Sequence, residues 1–87
     1  MEVSEIERRI AGLVGNAEID IEGQDCNFTV SVISDDFVGL SQVKRQQLVL
    51  TGFNDVLASG ELHALSVKPF TPEEWQNRFS SLVQINL

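Results

Sequence analysis

Ala17-Glu18-Ile19-Asp20-Ile21-Glu22, the link Gly23-Gln24-Asp25-Cys26-Asn27, and Phe28-Thr29-Val30-Ser31-Val32 make up the stretch that decides the fold. In the first segment a period of two puts Ala17, Ile19 and Ile21 on one face and acids on the other. That is the pattern of a half-buried strand. Phe28, Val30 and Val32 repeat it against Thr29 and Ser31. The link is short and made of turn formers, so the two strands pair antiparallel.

Outward from the hairpin the period changes to that of helices. Ser4 followed by Glu7 reads as a capping box, and Ile6, Ile10, Leu13 and Val14 then recur at helical spacing, up to a stop at Gly15-Asn16. Downstream, residues 34–41 read as an irregular connection. Ser41 can cap a helix whose Val49, Leu50, Phe53, Val56 and Leu57 share one arc. Gly52 inside that helix costs about 1 kcal/mol relative to alanine, so a close packing contact is expected there. Gly60 ends the helix, and Leu65 and Val67 make a short third strand. Thr71-Pro72-Glu73-Glu74 supplies an N-cap, a proline at the first helical position and a capping glutamate. Trp75, Phe79, Leu82 and Val83 continue the last helix at core spacing, with Trp75 expected to be largely buried near the first helix.

The order is therefore α-β-β-α-β-α. A strand, a crossover helix and a strand are expected to be right-handed and parallel, so the third strand runs parallel to the second. The expectation is one α+β domain over residues 1–87, with a three-stranded mixed sheet covered by helices on one face.

Eighty-seven residues with 43% hydrophobic content, one tryptophan and five phenylalanines suffice for a two-layer core. No apolar run approaches the ~20 residues that cross a bilayer. The opening MEVSEIERRI lacks the order of a secretion signal, so a cytoplasmic protein is expected. Cys26 is the one cysteine, which excludes an internal disulfide and suits a reducing compartment. Net charge is −7, and residues 1–36 account for all of it, with nine acids against Arg8 and Arg9. A phosphate backbone demands a basic surface, and here any such surface is small and confined to the second half.

Few residues carry candidate chemistry. Gly12-Leu13-Val14-Gly15 matches the GxxG of KH nucleic-acid-binding domains, but Leu13 and Val14 belong to the first helix's core face and acids surround them. Asp35-Asp36 has no ligand partner at regular spacing and reads as a solvated loop tip. One histidine and no nucleophile motif leave a hydrolase triad without parts. Nothing beside Cys26 would lower its thiol pKa as a Cys–His dyad requires, so the chain is read as a non-enzyme. Lys44 and Arg45 open a helix whose N-terminal amides could join them in holding a phosphate. Cations are electrostatically misplaced at that end, which makes the pair a candidate nucleic-acid or partner contact; the plain alternative is a solvated first turn. Cys26 and His63 fall at the same edge of the proposed sheet, just before the two parallel strands. As metal ligands they would fill half of a four-coordinate site, and another molecule would supply the rest. On composition alone, a surface histidine and an inert cysteine is the commoner outcome.

The run F-x-V-x-V-I-S-x-x-F-x-G (Phe28 to Gly39), V-K-R-Q-Q-x-V (43–49), H-A-L-S-V-K (63–68) and T-P-E-E-W (71–75) resembles the BolA family, and most of all its short bacterial acid-stress, IbaG-like branch. The resemblance implies a class II KH-like fold and an adaptor that pairs with a monothiol glutaredoxin. In such a pair the histidine of the H-A motif is a ligand to a shared [2Fe–2S] cluster. The glutaredoxin cysteine and the thiol of glutathione supply other ligands. A second ligand, Cys or His, comes from the loop between the first two strands. His63 matches the first position and Cys26 lies in the right loop. Histidine also replaces thiolate on iron in Rieske centres. The resemblance further implies recipient iron–sulfur proteins, and no cofactor in the isolated chain. Longer members carry Arg-His-Arg where this chain has Arg45-Gln46-Gln47, and with the acidic first half this argues against their proposed role as transcription regulators. That role, through the Lys44–Arg45 helix end, is the alternative expectation.

Overall fold

The computed structural model describes residues 1–24 and 27–85, the side chains of Gln24 and of residues 79–85 excepted. The hairpin forms as its periodicity requires. β1 (Glu18–Gln24) and β2 (Asn27–Ile33) pair antiparallel, with Ile19 opposite Val32 and Ile21 opposite Val30. β3 (Ala64–Phe70) lies parallel on the other side of β2, with Val67 beside Val30, so the sheet order is β1-β2-β3. It runs past the expected Leu65 and Val67 because every residue of β2 finds a partner in it. Pro69 is tolerated because β3 is an edge strand.

The apolar face of the sheet carries α1 (Val3–Ala11), α2 (Gln42–Leu50) and α3 (Asn54–Ser59), and the core lies between them. Ile6, Ile10, Phe37, Val49, Phe53 and Leu62 are buried there with Val30 and Val32. α1 departs from the expected caps. Glu2 is its N-cap and makes no side-chain bond, so Ser4 sits inside the first turn rather than before it. The helix closes at Gly12, earlier than Gly15-Asn16, while Val14 stays buried and donates its N–H to Ile10 O at 3.0 Å.

Ser41 caps α2 as expected, accepting the Lys44 N–H at 3.2 Å. The sequence predicts one helix from there to Gly60; instead a 3-10 turn, Thr51–Phe53, separates α2 from α3. The break falls at Gly52, where any Cβ would collide with Leu13 Cδ1. That is the close contact expected of Gly52. Arg9 ties the same place down, donating to Gly52 O at 2.8 Å and pairing with Asp55 Oδ1 at 2.8 Å. Gly60 ends α3 with φ 86°, the left-handed C-cap that glycine adopts without strain.

α4 (Pro72–Ile85) opens on the reciprocal bonds foreseen in Thr71-Pro72-Glu73-Glu74. Thr71 N–H donates to Glu74 Oε1 at 2.9 Å, and Glu74 N–H donates to Thr71 Oγ1 at 3.2 Å. Trp75 is half-buried rather than largely buried. Its ring meets Phe70 edge-on at 5.1 Å, and the Arg78 guanidinium lies 3.5 Å from its centroid. Side chains alternate along β3, so Phe70 points to the opposite face from Val67. Only Thr71 separates β3 from α4, so the first turn of α4 must land beside Phe70. Phe79, Leu82 and Val83 have side chains outside those described. Among the described residues no helix is long and apolar enough to cross a membrane.

Candidate functional site

His63 stands at the mouth of β3, held from both sides. Before it, Leu62 is 0% exposed in the core and donates its N–H to Val56 O at 3.1 Å. After it, Ala64 opens β3 beside Asn27. The backbone on either flank is fixed while His63 itself is exposed. No described residue hydrogen-bonds or ion-pairs with its ring.

Cys26, the other candidate ligand, lies outside the described residues. The residue that follows it, Asn27, is level with Ala64, so β2 and β3 begin at the same edge of the sheet. Among the described residues no three His, Cys, Asp or Glu side chains converge on a common point. A metal at His63 would therefore need donors beyond these.

The basic pair divides. Lys44 is exposed at the start of α2, but Arg45, expected to be exposed beside it, is 6% exposed. Its Nε donates to Leu40 O at 2.9 Å, its Nη1 to Glu74 Oε1 at 2.6 Å, and its guanidinium lies 6.0 Å from the Phe37 ring centroid. This corrects the reading of Arg45 as a surface cation. A cation at a helix N-terminus is unfavourable unless something offsets it, and here the Glu74 carboxylate does so. The Arg45–Glu74 bond itself was missed. Its only trace in the sequence was that misplaced charge.

The GxxG match is closed to phosphate for a related reason. The Gly15 N–H is already given to Asp36 Oδ2 at 2.7 Å, and Ser34 Oγ donates to Gly15 O at 2.6 Å. Asp36 is thus a structural acceptor rather than a loose loop tip.

The two candidate ends are well apart. Arg45 reaches α4 beyond the C-terminal end of β3, while His63 precedes its N-terminal end. The seven residues of β3 span about 23 Å at ~3.3 Å per residue.

Residues 4–74 match the model of the BolA-like protein family. Acid stress protein IbaG of Escherichia coli is 33% identical over 75 residues, which cover 86% of this chain and 89% of IbaG. The DNA-binding transcriptional regulator BolA of Vibrio cholerae is 41% identical over 54 residues, 62% of this chain but only 50% of the regulator. Among solved structures, BolA1 from Arabidopsis thaliana aligns with a TM-score of 0.73 and 30% identity, covering 85% of this chain and 98% of BolA1. The mixed sheet in the order β1-β2-β3 agrees with that likeness, and the chain belongs to the BolA-like family.

Proposed function

We propose that this chain is an adaptor that lends His63 to a [2Fe–2S] cluster shared with a monothiol glutaredoxin and glutathione, working in iron–sulfur cluster transfer, iron homeostasis or stress response. The observation that carries the reading is an exposed imidazole fixed between a core leucine and the first residue of a strand, with no described partner for its ring. A ring held in this way can meet an incoming donor set with little reordering. The donor chemistry also fits, since iron in such clusters accepts thiolate and imidazole. His63 and Cys26 would be this chain's two ligands, and the partner's cysteine and the glutathione thiol would complete the set. Once bound, the cluster supplies iron and sulfide in transferable form. The chain's own part is to present a neutral imidazole, because a ligating nitrogen must be free of its proton.

The test is reconstitution of the pair with a monothiol glutaredoxin, glutathione, iron and sulfide. The mixed complex should give visible absorption and circular dichroism distinct from glutaredoxin alone. His63→Ala should alter those spectra and make the cluster more labile, and Cys26→Ser should do so more mildly. Unchanged spectra for a His63→Ala complex would sink the reading.

A second reading, nucleic-acid binding at the start of α2, rests on the exposure of Lys44 and on the likeness to the Vibrio cholerae regulator. With Arg45 turned inward, it has one surface cation of the expected pair. Binding by the isolated chain should stay in the nonspecific range of ~10⁻⁴–10⁻⁶ M near physiological salt. Sequence-specific nanomolar binding abolished by Lys44→Glu would reverse the ranking.

A further inference from the structure

At the end of the sheet away from His63, a cleft of about 450 Å³ opens between the start of β1, the end of β2 and the first turn of α4. Ile33, Pro72 and Trp75 give it an apolar wall, and Glu18, Asp35 and Glu73 stand round it. All three carboxylates are exposed, and none is ion-paired to a described residue. The volume is that of a small-ligand or side-chain site. An apolar wall with an indole in it favours an alkyl chain, and carboxylates round it favour positive charge. A bare metal ion is disfavoured, because these acids do not converge as a ligand group. A cation that spreads its charge over a planar or extended group suits separated carboxylates better. The indole already accepts such a group from within the chain, since Arg78 stacks on it at 3.5 Å.

We propose that this cleft binds an alkyl-guanidinium or alkyl-ammonium group, presented as the arginine or lysine side chain of a basic peptide segment. The site is independent of His63. A partner held there leaves the mouth of β3 free, because the length of β3 lies between them.

Trp75 is the one tryptophan, so its fluorescence reports on the cleft directly. The probes are an Arg-Gly repeat hexapeptide, its Glu-Gly counterpart and free agmatine, titrated into the full chain. The Arg-Gly peptide should change Trp75 emission saturably, more weakly in high salt, and the Glu-Gly peptide should not. Glu18→Gln with Glu73→Gln should weaken binding by about tenfold, at roughly 0.5–1 kcal/mol for each lost charge contact. Agmatine binding as tightly as the peptide would overturn the peptide source and leave a free amine as the ligand. The absence of a saturable change, or an equal response from the double variant, would overturn the site. A folded spectrum of the double variant whose amide shifts stay confined to the substituted positions and their neighbours round the cleft would separate lost binding from lost structure.

Discussion

Arg45 and Glu74 are 29 residues apart in the chain and 2.6 Å apart in space. The guanidinium is buried, whereas the carboxylate is partly open to solvent and also accepts the Thr71 N–H. One acid therefore joins the start of α2 to the start of α4.

Removing that acid should be costly in a lopsided way. Glu74→Ala leaves a buried guanidinium without its partner and should lower stability by about 1–3 kcal/mol. Arg45→Met removes the buried charge together with its need for a partner, so it should cost less. Urea denaturation of the two variants gives the comparison, and an Arg45→Met loss as large as that of Glu74→Ala would contradict this ordering.

The same contact sets a dependence on pH. The Arg45 hydrogen bond, followed by the bond from the Thr71 backbone, holds the Glu74 carboxyl below its ordinary value of 4.5. A depressed folded-state pKa stabilises the fold above the unfolded value and loses that contribution as pH falls through the folded one. Thermal melts should therefore show Glu74→Gln less stable than the parent at pH 7, with the difference shrinking as pH drops below about 4.5. A constant difference down to strong acid would contradict the assignment.

Gly52 and Leu13 should behave as one unit. Gly52→Ala pushes a methyl group into Leu13 Cδ1, and because Leu13 is flexible and half-buried the cost should be only about 1 kcal/mol. In Gly52→Ala with Leu13→Ala the clash is gone, so the double variant should be more stable than the sum of single losses allows. Simple additivity in a chemical-denaturation cycle would argue against the contact.

His63 and Lys44 should not behave as a unit. His63→Ala should leave stability within about 0.5 kcal/mol, as an exposed position without a described bond allows. With β3 between them, Lys44→Glu added to His63→Ala should change neither the stability increment nor the cluster spectra expected of His63→Ala. Coupling above about 0.5 kcal/mol in a double-mutant cycle would mean that the two ends communicate.

What the sequence reveals and what it hides follow from the range of the interactions. The hairpin and the Thr71–Glu74 cap were legible because each is written within a few residues, as alternation or as a cap with its reciprocal acid, and the parallel third strand because a helical crossover leaves little choice of direction. The break at Thr51–Phe53 was not, although Gly52 marked the spot. The decisive contact is with Leu13, in a loop reached only after folding. Trp75 had the spacing of a core residue, but the one-residue connection at Thr71 set it beside Phe70, where it is only half-buried. At the candidate sites, the position of His63 between a helix stop and a strand could be read directly. The burial of Arg45 could not, because its partner comes from α4.

The pairing of two arginines within the chain also affects encounter rates. Arg9 is held against Asp55 and Gly52, and Arg45 against Glu74, whereas Glu18, Asp20 and Glu22 stand exposed along β1. A molecule approaching from beyond the ~8 Å screening length at physiological ionic strength meets a field set mainly by these acids. Collisions with basic surfaces are then accelerated and collisions with polyanions retarded, both more strongly in dilute salt. The chain sorts its visitors by charge before any of them touches its surface.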